Sequence, residues 1–168
     1  MFTEKECRPI ADIGFVIDSS GSIGRSNWGR MKRFLKALVS KLDVSPSSTH
    51  ISAVAYSNNP EVVYRFNNRQ ATDDVNNVFD GMRWQRGFTY TDKALLLADN
   101  DLYKPSNGMR PNVAKVRTFL QPRLVVFLDC LFFFLFCIDD LFSIPYVDIW
   151  AWDTDRLLFA APLHISFY

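Results

Sequence analysis

Residues 11–22 read Ala11-Asp12-Ile13-Gly14-Phe15-Val16-Ile17-Asp18-Ser19-Ser20-Gly21-Ser22, and their reading decides the fold. The first seven form a short, mostly apolar run, and a polar cluster from Asp18 to Ser22 ends it. A run of that length without strict alternation suits a buried parallel strand, followed by a loop at its carboxyl end. Downstream, Trp28, Met31, Phe34, Leu35, Leu38, Val39 and Leu42 recur mainly at steps of three and four. That spacing predicts an amphipathic helix, with Ser26 or Asn27 as its N-cap.

The turn Ser45-Pro46-Ser47-Ser48 leads to a second strand, Ile51 to Tyr56, and Ser57-Asn58-Asn59-Pro60 leads to a third, Glu61 to Phe66. One polar turn between two strands predicts an antiparallel hairpin. Thr72-Asp73-Asp74 opens a second helix carrying Val75, Val78, Phe79 and Met82, with acids placed to suit the helix dipole. A third helix begins near Thr91-Asp92, and Asn107-Gly108 and Pro111 mark another loop. This order predicts an α/β, Rossmann-like layered fold, with a central, mostly parallel sheet flanked by helices.

The 168 residues suit one domain with a substantial core. Nineteen basic and eighteen acidic residues give a net charge of +1, so no field of one sign points to nucleic acid. Arg30, Lys32, Arg33, Lys36 and Lys41 read as a solvated helix face. All seven glycines and all lysines precede residue 117, whereas residues 117–168 hold nine of the fifteen phenylalanines. The chain therefore divides into an N-terminal flank (1–10), an α/β part (11–116) and an atypical hydrophobic tail (117–168).

Asp18, Ser20 and Ser22 are spaced by two at the carboxyl end of the first strand, the edge where open α/β sheets bind ligands. A carboxylate and two hydroxyls are hard oxygen ligands, suited to Mg²⁺, Mn²⁺ or Ca²⁺. One carboxylate among neutral hydroxyls leaves such an ion incompletely neutralised, so a carboxylate from a partner could complete its shell. The competing reading is a polar turn whose side chains cap a helix. The histidines His50 and His164 are far apart, and no Cys-x-x-Cys pair occurs, which argues against a zinc site of the Cys/His type. Catalysis by Ser20 or Ser22 would require a nearby base, and no Gly-x-Ser-x-Gly elbow is present.

Asp12 to Ile23 resembles the opening of the von Willebrand factor type A family, in flavour closest to matrilin-like and collagen-associated members. In that family the Asp-x-Ser-x-Ser residues belong to a metal-ion-dependent adhesion site. A second loop supplies a threonine, and Gly87-Phe88-Thr89-Tyr90-Thr91 matches its setting. The resemblance implies Asp18, Ser20, Ser22 and Thr89 as metal ligands, with Mg²⁺ the expected ion, and leaves Thr91 to cap the third helix. It further implies an extracellular module that binds a matrix or cell-surface protein through an acidic residue. The run Asn107 to Val116 resembles the approach to the family's fourth strand.

The family pattern then expects a strand ending in Thr-Asp-Gly, whose Asp is the fifth site residue. Here no Thr-Asp-Gly occurs, and the nearest substitute is Leu124 to Leu128 ending in Asp129. Two arrangements stay open. Residues 117–123 are an insertion and Asp129 is the fifth ligand, or the family-like sequence ends at Val116. The abrupt loss of Gly and Lys favours the second, and it makes a metal-independent interaction domain the alternative function. Leu124 to Ile138 is apolar except for Asp129, but falls short of the roughly twenty residues of a spanning helix, so membrane insertion is not expected. Cys7, Cys130 and Cys137 are an odd set. By resemblance Cys7 pairs beyond the domain end, with Cys130, Cys137 or a free thiol all open. No apolar signal region opens the chain, so a piece of a longer secreted protein is the expectation that reconciles it with an extracellular family.

Overall fold

The computed structural model describes residues 10–120 and the backbone of 147–149. Asp129, the three cysteines and the run Leu124 to Ile138 lie outside the described residues. The first strand, β1 (Ala11–Asp18), is buried along its whole length. A 3₁₀ turn (Gly21–Ile23) leads into α1 (Gly24–Val39), followed by β2 (His50–Tyr56), β3 (Glu61–Tyr64), α2 (Thr72–Gly81), α3 (Thr91–Leu97), β4 (Ala114–Leu120) and β5 (Val147–Ile149). A π turn, Ala98–Leu102, extends α3.

The sheet order is β3-β2-β1-β4-β5. Strand β1 runs parallel to both β2 and β4, β4 is parallel to β5, and β2-β3 is the antiparallel hairpin that the single polar turn predicts. Strand β4 continues to Leu120, past the compositional break at residue 116, and Val116, Arg117, Thr118, Phe119 and Leu120 are all buried.

Alternation along β1 sorts the core into two layers. Ile13, Phe15 and Ile17 face α1 and α2, where the Phe15 ring meets Phe79 edge-on at 6.1 Å. Val16 faces the other side, with Val54, Phe66, Ala94, Ala98, Leu102 and Phe119. On that side Gly14 has no side chain because Tyr103 lies against it. A Cβ would collide with the Tyr103 ring, whose hydroxyl donates to the Val116 carbonyl at 2.8 Å.

The apolar stripe of α1 is buried as its spacing predicts: Trp28, Met31, Phe34, Leu35, Leu38 and Val39. Its outer face carries exposed Arg30 and Arg33, with exposed Lys41 in the turn after it, while Lys36 reaches Asp80 at 2.6 Å, tying α1 to α2. Two cap expectations are corrected. Helix α1 follows directly from the 3₁₀ turn at Gly24, so neither Ser26 nor Asn27 caps it. Thr91 is the first residue of α3 rather than its cap, and its hydroxyl lies 3.4 Å from the Tyr56 hydroxyl.

Gly108 closes the 3₁₀ turn Pro105–Asn107 in a left-handed conformation, φ 91°. A Cβ there would meet the backbone of Phe66 and Asn67, where Asn67 donates to the Asn107 carbonyl at 3.0 Å. Gly108→Ala is therefore expected to lose about 1–3 kcal/mol of stability, read as a lower urea midpoint. An unchanged midpoint would show that this turn can move away from Phe66.

Candidate metal centre

Strand β1 has β2 on one side and β4 on the other, and all three run parallel, so their carboxyl ends share one edge. The chain leaves β1 toward β2 and returns later on β1's other flank at β4. That reversal opens a crevice at the end of β1. Asp18, paired in register with Tyr56, stands there as the last strand residue.

The loop after Asp18 is held from several directions. Ser19 donates its N–H and its hydroxyl to the Tyr56 carbonyl, at 2.8 and 2.9 Å. Ser20 N–H donates to Asp18 Oδ1 at 2.8 Å, and the Ser20 and Ser22 hydroxyls lie 3.0 Å apart. Asp18 and Ser20 are buried, whereas Ser22 is exposed, so the constellation opens to solvent on its Ser22 side. No side-chain cap bond is made to the 3₁₀ turn or to α1. Asp18 thus accepts a backbone N–H as the polar-turn reading expects, but no side chain caps the 3₁₀ turn or α1, and the Ser20 and Ser22 hydroxyls lie against one another.

The second loop is fastened to the first. Gly21 N–H donates to the Gly87 carbonyl at 2.9 Å, Arg86 N–H to the Ser19 carbonyl at 3.0 Å, and the Trp84 indole to the Ser20 carbonyl at 2.8 Å. From below, the turn after β2 grips it. Ser57 Oγ accepts from Gly87 N–H at 2.7 Å and donates to the Phe88 carbonyl at 2.9 Å, and Asn58 Oδ1 accepts from Phe88 N–H at 2.8 Å. Gly87 fits because a Cβ there would lie 2.5 Å from Ser57 Oγ and from Asn58 Cγ. Thr89, two residues on, is exposed on this loop.

Burial raises the Asp18 carboxyl above its ordinary value, and the hydrogen bonds from Ser20 oppose the shift only in part. Among the described residues no cation pairs with Asp18. A buried carboxylate without a counter-charge, beside two hydroxyls free of capping duty, fits a small hard cation. Asp18, Ser20 and Ser22 are brought together here, Thr89 stands on the adjoining loop, and Asp129 is outside the described residues.

His50 begins β2 opposite Asp12, about 20 Å from Asp18 at some 3.3 Å per strand residue. It is 4.0 Å from Asp12 and too remote to serve Ser20 as a base. Sequence reasoning missed Ser57, Asn58 and Trp84. The available signal was the polar turn after β2, because a parallel β2 ends at the same edge as β1.

The family model described as von Willebrand factor type A domain matches residues 12–120. The chain is 37% identical over 114 residues to the collagen alpha-6(VI) chain of Homo sapiens, covering 67% of this chain and 5% of that one. It is 34% identical over 113 residues to von Willebrand factor of Rattus norvegicus, covering 65% and 26%. It is 33% identical over 114 residues to integrin alpha-X of Mus musculus, covering 67% and 10%. The chain thus spans only a small part of the length of these relatives. Among solved structures, proximal thread matrix protein 1 from the mussel byssus shares the fold, with a TM-score of 0.64 at 22% identity over 68% of this chain and 30% of that one. A structure of the same protein with its metal-ion-dependent adhesion site occupied by zinc gives a TM-score of 0.61 at 24% identity, over 67% and 28%. With the family model matched across β1 to β4, the chain belongs to the von Willebrand factor type A domain family.

Proposed function

We propose that this chain is an extracellular adhesion or matrix-interaction module whose Asp18, Ser20, Ser22 and Thr89 hold a divalent cation, Mg²⁺ first. The observation that carries this is the buried Asp18 carboxylate, without a counter-charge among the described residues, beside the Ser20 and Ser22 hydroxyls. A bound cation would supply a Lewis-acid position that an Asp or Glu of a protein partner can fill. Among the described ligands Asp18 contributes the one negative charge, and the hydroxyls orient without neutralising. The Ser57 and Asn58 side chains keep the Thr89 loop beside them. Asp129 remains the proposed fifth ligand. The relatives named above support the matrix or cell-surface setting, and recognition is the role that suits a site where, among the described residues, one carboxylate stands without a base beside it.

A second reading, a metal-independent interaction domain, draws on the sequence after β4, where no Thr-Asp-Gly supplies the fifth site residue. Calorimetric titration of Mg²⁺, Mn²⁺ or Zn²⁺ into the chelator-treated full chain separates the two. One saturable binding event with a stoichiometry near unity is expected. Absence of heat with all three ions would overturn the metal reading in favour of the second.

A further inference from the structure

We infer that the stretch from Arg83 to Lys93 is a second recognition element, shaped to take an apolar side chain next to the carboxylate of an acidic protein segment. This rests on the adhesion reading above and specifies the partner of the same site. Among the described residues four large hydrophobic side chains are exposed, and two of them, Phe88 at 75% and Tyr90 at 40%, flank Thr89. Their rings meet edge-on with centroids 6.4 Å apart, forming one aromatic ledge. A ledge in water is unfavourable for the free protein, and covering it favours a complex.

One cation borders the ledge, and another stands earlier on the same stretch. Lys93 Nζ lies 4.1 Å from the Tyr90 ring centroid, and the Arg86 guanidinium lies 4.8 Å from the Trp84 ring centroid. Over residues 83–93 the charges are Arg83, Arg86 and Lys93 against Asp92, and the neighbouring Glu61 is engaged by the Gln85 amide at 3.1 Å. The remaining positive balance complements an acidic partner. Ordering costs little on binding, because the backbone of Gly87, Phe88 and Tyr90 is already fixed by Ser57 and Asn58. A rigid backbone presenting an outward aromatic side chain has the form of a binding anchor. The occupant that satisfies ledge, cations and metal loop together is a segment with an apolar residue adjacent to Asp or Glu, further acids nearby.

The test is selection of short random peptides with one fixed central Glu, displayed on phage, against the full chain and its Phe88→Ser variant, in Mg²⁺ and in chelator. The variant changes an exposed side chain, so its fold is expected to be intact by circular dichroism. With the unaltered chain in Mg²⁺, aliphatic or aromatic residues next to the Glu are expected to be enriched about tenfold, and Phe88→Ser is expected to lose that preference while still selecting acids. An identical acidic profile for both proteins, without apolar neighbours, would overturn this inference and leave the metal reading standing. An apolar preference that is lost in Phe88→Ser yet indifferent to chelator would uphold the ledge and overturn the metal reading. No enrichment in any condition overturns both. Concentration-dependent self-association lost in Phe88→Ser would assign the ledge to a second copy of the chain and overturn the acidic-segment partner.

Discussion

Asp18→Asn is expected to abolish the stabilisation that divalent cations confer while leaving the metal-free protein at least as stable as the parent. The first half follows from charge. Asp18 supplies the only carboxylate of the described constellation, and an amide cannot replace it for a hard dication. At about a hundred times the dissociation constant a bound ion adds roughly 2.7 kcal/mol, near 10 °C in Tm for a domain of this size. The second half follows from burial. The Asp18 carboxyl is raised in the folded chain by desolvation. Such a group contributes stability that is complete below its unfolded pKa and is lost as pH rises through the folded one. Above the folded pKa and without metal the ionised side chain is therefore a cost, and Asn removes it while keeping an Oδ1 to accept from Ser20 N–H. Differential scanning calorimetry of both proteins, with Mg²⁺ or Mn²⁺ and with chelator, reads both halves. A cation-induced rise that persists in Asp18→Asn would sink the assignment.

The largest loss of stability is expected at the other end of the same strand. Asp12 is fully buried, and its carboxylate accepts from Arg110 N–H at 2.7 Å and from Arg110 Nε at 2.8 Å, while the guanidinium also donates to the Ala11 carbonyl at 3.0 Å. This clamp ties the start of β1 to the loop that precedes β4. Asp12→Ala is expected to cost about 3 kcal/mol, the lower end for breaking a buried ion pair, because the Arg110 side chain keeps 23% exposure and some solvation. Arg110→Ala is expected to cost more, since it leaves a carboxylate that water does not reach with the main-chain N–H of residue 110 but without the guanidinium. Urea unfolding of both variants tests the order, and a smaller loss for Arg110→Ala would show that His50, 4.0 Å from Asp12, compensates for it.

What was legible in the sequence is what depends on local pattern. The apolar run into Asp18, the α1 stripe and the polar turn between β2 and β3 each carry their periodicity in a few residues, and the layered fold follows from their order. The Asp18 to Ser22 cluster was legible as a candidate site because its place after a buried strand fixes which edge it occupies. Contacts made between distant segments were not legible. Ser57 and Asn58 look like ordinary turn residues until β2 is laid parallel to β1. Gln70 looks like a surface residue, yet its buried amide accepts from Ile51 N–H at 2.7 Å and donates to the Ile51 and Phe66 carbonyls, each at 3.1 Å. Arg117 and Thr118 look too polar for a core strand. In the fold Arg117 spans to Asp99 and lies over the Tyr103 ring, so a charged residue sits in β4 without an unpaired charge. Arg86, at φ 65°, occupies a left-handed conformation that its residue type does not announce.

The placement of β1 has a mechanical consequence. It is paired with β2 from Asp12 to Asp18 and with β4 from Ala11 to Ile17, both in parallel register. Ladder hydrogen bonds run across the strands rather than along them. A partner pulling on the Asp18 to Ser22 loop along the axis of β1 would load both ladders at once, in shear, and rupture would require many bonds to fail together. The same force applied across the sheet at β3, a four-residue strand with one neighbour, would open bonds one after another. In the proposed adhesion role, a ligand at Asp18 to Ser22 would thus pull on the strand most resistant to being drawn out.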